Sequence, residues 1–140
     1  MHEPILGIDT GDRRCGLALS DDLRMLAHPL ETVDVVKTDV VARILEIVES
    51  RRVSLVVVGH PRNMDGSYGP MAEKAKLFAE KLREKLPCSV KLWDERLTTV
   101  SASRALHEAG RDTRKQKAVI DQAAAQIILQ SWLDAHPEPL

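Results

Sequence analysis

Leu55-Val56-Val57-Val58-Gly59 is a continuous, mostly β-branched run with no polar residue in either alternating set. A strand of that composition has two faces to hide, so it belongs in a sheet covered by helices on both sides. The run is also the longest aliphatic stretch, far too short to span a bilayer as a helix. Helical patterns flank it. Between Asp39 and Arg52 the apolar residues Val40, Val41, Ile44, Leu45, Ile47 and Val48 recur at helical spacing, with Thr38 placed to cap them. On the other side, Pro70 suits the first turn of a helix whose inner face would carry Met71, Ala75, Phe78, Ala79, Leu82 and Leu86. Val90 to Trp93 is a further short strand. Thr98 or Thr99 then caps a predicted helix to Ala109, where Gly110 stops it. Arg111 to Gln116 reads as a basic connector, and a final helix is predicted from about Lys117 to Ala135.

The first third follows a different period. Ile5 to Asp9 is a short apolar strand ending in an acid, and Thr10-Gly11-Asp12 is a turn. Gly11 allows a ligand to approach the backbone there and serves an ordinary turn equally well. From Arg14 to Ser20, Cys15, Leu17 and Leu19 alternate with the small Gly16, Ala18 and Ser20, so another element should pack closely on the small side. Ala27 to Val33 is a third strand, with Pro29 marking an edge or a bulge. Three strands joined by short turns make an antiparallel meander. The predicted fold is therefore α/β. It has a five-stranded mixed sheet of order 3-2-1-4-5 flanked by helices, built as one domain over residues 1–135, with 136–140 a frayed tail. The carboxyl ends of strands one, four and five then lie side by side, where ligands of open α/β sheets sit.

Composition narrows the function classes. The 140 residues carry a net charge of -1, so any polyanion must be held by a local patch. Two Trp, one Tyr and one Phe argue against a single-strand binder that works mainly by stacking. Two cysteines, Cys15 and Cys88, cannot form a disulfide framework, and no Cys/His cluster has zinc spacing. Glu3, Pro4 and Asp9 interrupt any apolar leader. A cytoplasmic protein with no membrane association is expected.

Three acids are harder to assign to ordinary turns. Asp9 closes the first strand, although Asp at the start of a turn is common. Asp94-Glu95 follow the last strand, and alternation alone does not choose which of them points into a site. Asp121 heads a helical row with Ala124, Ala125 and Ile128, a face that should pack on the sheet. The helix dipole explains an acid near that end but not on that face. Converging carboxylates repel, and a divalent ion resolves the repulsion while keeping waters for a phosphate substrate. That is the acid set a metal-dependent nuclease needs.

The motifs carry a resemblance that covers nearly the whole chain. They are Leu6-Gly7-Ile8-Asp9-Thr10-Gly11 with Arg14-Cys15-Gly16, the Asp21 turn, His28-Pro29-Leu30-Glu31-Thr32 and Val58-Gly59-His60-Pro61. Asn63-Met64-Asp65-Gly66-Ser67, Trp93-Asp94-Glu95-Arg96-Leu97-Thr98-Thr99, Asp121-Gln122-Ala123-Ala124-Ala125 and Ile128-Leu129-Gln130-Ser131 complete them. The Asp-Glu-Arg block and the Asn-Met-Asp-Gly loop are specific; Asp-x-Gly alone is weak. The chain resembles the YqgF/RuvX family of RNase H-like nucleases, bacterial proteins linked to maturation of the 5′ end of 16S ribosomal RNA.

The resemblance implies an RNase H-like fold and a hydrolase that uses Mg²⁺ or Mn²⁺. Asp9, Glu95 and Asp121 would be its metal-binding and catalytic acids, and Asp94 the fallback to Glu95. Two positions depart from the family pattern. Asp12 adds an acid that would weaken phosphate approach or supply another ligand, and His60 reads as a loop contact or a proton shuttle. Arg13, Arg14, Arg62, Asn63, Arg96, Arg111, Arg114, Lys115 and Lys117 are the candidate nucleic-acid contacts, which position a backbone without reading sequence. The expected partner is structured RNA, as in pre-rRNA, or branched DNA such as a four-way junction, with the protein a monomer or weak homodimer. A non-catalytic RNA-binding module is the competing reading. A two-lobed actin-like or sugar-kinase-like nucleotide binder would need a second lobe for which this length has no room.

Overall fold

The computed structural model describes residues 2–61, 65, 67–95 and 114–137, the side chains of 114–121 excepted. Its sheet has five strands: β1 Ile5–Thr10, β2 Arg14–Ser20, β3 Ala27–Asp34, β4 Leu55–His60 and β5 Ser89–Asp94. Their order is β3-β2-β1-β4-β5, as the sequence predicts. β1 pairs antiparallel with β2 and β2 with β3, whereas β4 lies parallel to β1 and β5 parallel to β4. The β2–β3 register shifts at Leu17/Ala18, opposite the Pro29 segment. Proline cannot donate a ladder hydrogen bond, and β3 is an edge strand, where that loss is tolerated.

Helices α1 (Val40–Arg51) and α2 (Pro70–Lys85) cover one face, and α3 (Arg114–Ala135) covers the other. On the first face Leu6, Ile8, Leu17, Val56 and Val58 meet Ile44, Ile47, Ala79 and Leu82. On the second, Ile5, Ala18 and Val57 meet Ala125, Ile128, Leu129 and Trp132. α3 is the element that the small side of β2 anticipates. The contact is close at Gly7 as well, where a Cβ would stand 2.6 Å from Leu129 Cβ and 3.1 Å from the Ala125 carbonyl oxygen. No described helix is long and apolar enough to cross a membrane.

Several local expectations change. Asp39, not Thr38, caps α1, its carboxylate accepting from the Ala42 amide at 3.1 Å. On α2 the inner row holds Ala72, while Met71 is 42% exposed. With Pro70 as the first helical residue, the third, Ala72, begins the row with Ala75, Ala79 and Leu82 that faces the sheet. α3 begins at Arg114, so Arg114 and Lys115 belong to the helix and not to a connector, and Lys117 lies inside it. Arg, Lys and Gln are strong helix formers, and nothing in Arg114–Lys117 breaks the run. His136 does not fray: its Nδ1 lies 2.8 Å from the Trp132 carbonyl and its ring stacks on Trp132. The helix expected from Thr98 or Thr99 to Ala109 lies outside the described residues.

Candidate active site

β1 alternates its side chains between the two faces. Ile5 and Gly7 meet α3, so Asp9, two residues further on, points to the same side. Asp9 sits opposite Gly16 of β2, and only 5% of it is exposed. Beyond the last pair of the parallel ladder, Ile8 with Val58, come Asp9 on β1 and Gly59 on β4.

Glu95 reaches the same place from the other side. β5 places Val90 and Leu92 in the α1/α2 core, and Trp93 in the α3 core. Alternation therefore sends Asp94 toward the α1/α2 side, opposite His60 in the ladder. Glu95, the next residue, returns to the α3 side and is 2% exposed. Its carboxyl carbon lies 3.4 Å from the point where a Cβ on Gly59 would stand. That point is about one strand spacing, ~4.8 Å, from the line of β1. Two buried carboxylates thus share one sheet face, at the carboxyl ends of β1 and β5, with Gly59 of the intervening β4 as the gap between them. Alternation alone does not choose between Asp94 and Glu95, and the family resemblance favours Glu95; in the structure it is Glu95 that lies buried on the α3 side.

Asp121 lies in α3, four residues before Ala125 and seven, or ~10 Å of helix, before Ile128. Ile128 Cδ1 is 2.5 Å from the same imagined Cβ on Gly59. The Asp121 side chain is outside those described. Among the described residues no three His, Cys, Asp or Glu side chains gather as a metal cluster. The described pair nonetheless has the chemistry a hard divalent cation takes, two carboxylate oxygen donors withdrawn from water. Burying two like charges is costly unless a counter-charge joins them.

The expected basic contacts are placed unevenly. Arg13 is exposed and its carbonyl accepts from the Val35 amide at 2.8 Å; Arg14, half-buried, opens β2 across from Asp34. Arg62, Asn63, Arg96 and Arg111 lie outside the described residues, as do the side chains of Arg114, Lys115 and Lys117. Asp12, the extra acid, is met by Lys74 of α2 at 2.5 Å, with both side chains more than half exposed. His60 stacks on Tyr68, ring centroids 4.7 Å apart. Neither Cys15 nor Cys88 is in a disulfide. Burial pushes the Cys88 thiol up, which disfavours its thiolate as a nucleophile. Sequence reasoning missed Gly59 as part of the site. Its only signal was a residue without a side chain ending an otherwise branched run.

The chain is similar to known proteins over most of its length. The model of the RuvX family, described as Holliday junction resolvase, matches residues 3–135. A Myxococcus xanthus protein provisionally named a pre-16S rRNA nuclease is 46% identical over 136 residues, covering 96% of this chain and 89% of its own. A Halothermothrix orenii protein of the same name is 46% identical over 139 residues, covering 93% and 94%. One from Cereibacter sphaeroides is 47% identical over 131 residues, covering 93% and 82%. Among solved structures, T. thermophilus RuvC in complex with Holliday junction substrate superposes with a TM-score of 0.51 at 22% identity, over 96% of this chain and 95% of that one. The architecture is RNase H-like, and by the extent of the family match and of its relatives this chain belongs to the RuvX family.

Proposed function

We propose that the protein is a divalent-metal-dependent nuclease that hydrolyses phosphodiester bonds in nucleic acid, with the 5′ region of pre-16S ribosomal RNA as its substrate. The observation that carries this reading is the pair Asp9 and Glu95, 5% and 2% exposed on one sheet face at the ends of β1 and β5, on either side of β4. The names borne by relatives at 46–47% identity point the same way.

Asp9, Glu95 and Asp121 are the residues that would hold Mg²⁺ or Mn²⁺. Such an ion, when bound, supplies charge stabilisation and a more acidic water at neutral pH. The chain's own part is to present oxygens in fixed positions. β1 holds Asp9 through its ladder with β2, and Glu95, one residue past β5, lies against Gly59. The site lies at a sheet end, which suits a polymer whose backbone must pass across it. Arg13, Arg14, Arg62, Asn63, Arg96, Arg111, Arg114, Lys115 and Lys117 would neutralise and orient phosphates along that path, giving register without sequence readout. One domain spanning 1–135, acting in the cytoplasm where ribosomal precursors mature, completes the proposal.

The decisive experiment compares labelled pre-rRNA with a four-way DNA junction, with and without Mn²⁺, using wild type and Asp9→Asn. Wild type should cut only with metal. Asp9→Asn should keep its far-UV circular dichroism and lose more activity than the ~10–100-fold that removal of an outer-shell partner costs. Undiminished cleavage by Asp9→Asn would sink the mechanism.

The second reading, a junction resolvase, is favoured by the family description itself. Symmetric incision needs two paired sites. A strictly monomeric protein that cuts RNA and spares junctions would exclude it. A non-catalytic RNA-binding module predicts salt-sensitive binding and no cleavage with any divalent ion.

A further inference from the structure

The chain has two tryptophans, and the fold brings both to one place. Trp93 of β5 meets Trp132 of α3 edge to face, centroids 5.1 Å apart and planes at 79°. His136, just past α3, lies flat on Trp132 at 3.8 Å and 17°, and is 5.5 Å from Trp93. Each ring is held in place. Trp93 Nε1 donates to Ser131 Oγ at 3.0 Å, and His136 Nδ1 lies 2.8 Å from the Trp132 carbonyl oxygen. Trp132 is buried, whereas His136 is exposed. Lys91, also exposed, places its Nζ 5.9 Å from the Trp132 ring centroid.

A hydrogen bond to the last carbonyls of a helix is an ordinary end cap for a histidine. It does not account for the ring lying flat on a tryptophan, nor for a lysine on the same aromatic group. The location adds meaning. Trp93 precedes Glu95 by two residues, about 7 Å of chain, and both face α3. The three-ring stack therefore stands on the sheet face that carries the two buried acids. A rigid aromatic plane with one exposed face and a cation beside it is the pairing that holds an unpaired nucleotide, stacking its base while the cation meets its phosphate.

We propose that His136, backed by Trp132 and Trp93, is a stacking platform for an unpaired nucleobase of the substrate strand, with Lys91 contacting the adjoining phosphate. The proposal rests on the nuclease reading for its substrate class and adds a specificity: the strand must be locally unpaired where it runs along α3 away from the site, fifteen residues or ~22 Å of helix beyond Asp121. It supplies one base contact, in keeping with a chain that has too few aromatics for an extended stacking groove.

Because both tryptophans lie in the stack, intrinsic tryptophan emission reports on it alone. Unlabelled single-stranded RNA and DNA oligonucleotides of one sequence are titrated into the full chain in EDTA, following that emission. Fluorescence anisotropy of a labelled oligonucleotide measures binding independently. Wild type should show quenching that saturates at the anisotropy midpoint. Quenching by both sugars fits a platform that reads the base face, and quenching by RNA alone identifies RNA as the source of the base. His136→Ala should lose the quenching and weaken binding about tenfold. His136→Phe keeps a ring without the hydrogen bond and should bind like wild type. Lys91→Ala should reduce the salt slope by about one. Binding by anisotropy with unchanged emission and an unaffected His136→Ala overturns the platform and leaves the nuclease reading standing. Equal losses in His136→Ala and His136→Phe reduce the residue to a helix cap and also overturn it. No binding to any oligonucleotide overturns both readings.

Discussion

At Gly7 and Gly59 the sheet leaves room that a methyl group would fill, and the two positions should fail differently. A Cβ on Gly7 meets Leu129 Cβ at 2.6 Å and the Ala125 carbonyl at 3.1 Å, neither of which can rotate away. Gly7→Ala must lift α3 from the sheet, and overpacking of this kind costs about 1–3 kcal/mol. The expected result is a lower urea midpoint. At Gly59 the nearest atom is Ile128 Cδ1 at 2.5 Å, the far end of a side chain, followed by the Glu95 carboxyl carbon at 3.4 Å. Gly59→Ala should therefore lose less stability than Gly7→Ala but displace the carboxylate. Titration calorimetry with Mn²⁺ is expected to show affinity reduced by about tenfold, in the range seen when a ligand loses its support. Unchanged Mn²⁺ affinity would mean that Glu95 is not a ligand. At this scale the acids themselves were legible in the sequence, but their orientation was not. Asp94 and Glu95 differ by one position; alternation puts Glu95 on the Trp93 side, and only the fold shows that this side also carries Asp9 and Gly59.

Elements are tied together by contacts whose cost depends on solvent. Arg43 of α1 donates to both oxygens of Glu31 on β3, at 2.6 and 2.9 Å, fastening an edge strand to the helix beside it. The hydrogen bond from Arg43 holds the Glu31 carboxyl below its ordinary range. A carboxyl depressed in the folded state contributes stability above the unfolded glutamate value, about 4.3, and the contribution is lost as pH falls through the lower folded value. Both side chains are about one-third exposed, so screening limits the pair to roughly 1 kcal/mol or less. Denaturation of Glu31→Gln and wild type should differ by that amount at pH 7 and converge in strong acid. A difference that persists at pH 2 would assign the effect to packing. Element boundaries also show where sequence reasoning stops. Thr38 and Asp39 are both acceptable caps; Asp39 takes the role because its carboxylate reaches the Ala42 amide. The polar run before Lys117 looked like a connector, yet it continues α3 back to Arg114.

For the molecule as a whole, the site is a meeting of remote segments, and metal should act on stability as well as on activity. Ligand that binds only the folded state adds about 2.7 kcal/mol at a hundred times its dissociation constant. At ~2–4 °C per kcal/mol, calorimetry should show Tm rising by roughly 5–10 °C in saturating Mn²⁺ relative to EDTA. Asp9→Asn should abolish most of that rise; an equal rise in the variant would place the ion elsewhere.

Strand order, the two-sided burial of β4 and the close packing on β2 could all be read along the chain. Each depends on periodicity, residue size or turn chemistry within a few neighbours, and those are local properties. The placing of Glu95 over Gly59, the two glycine gaps and the Trp93–Trp132–His136 stack could not. Each is a contact between residues tens of positions apart. Its existence depends on where a helix settles against a twisted sheet, which packing of the assembled core decides.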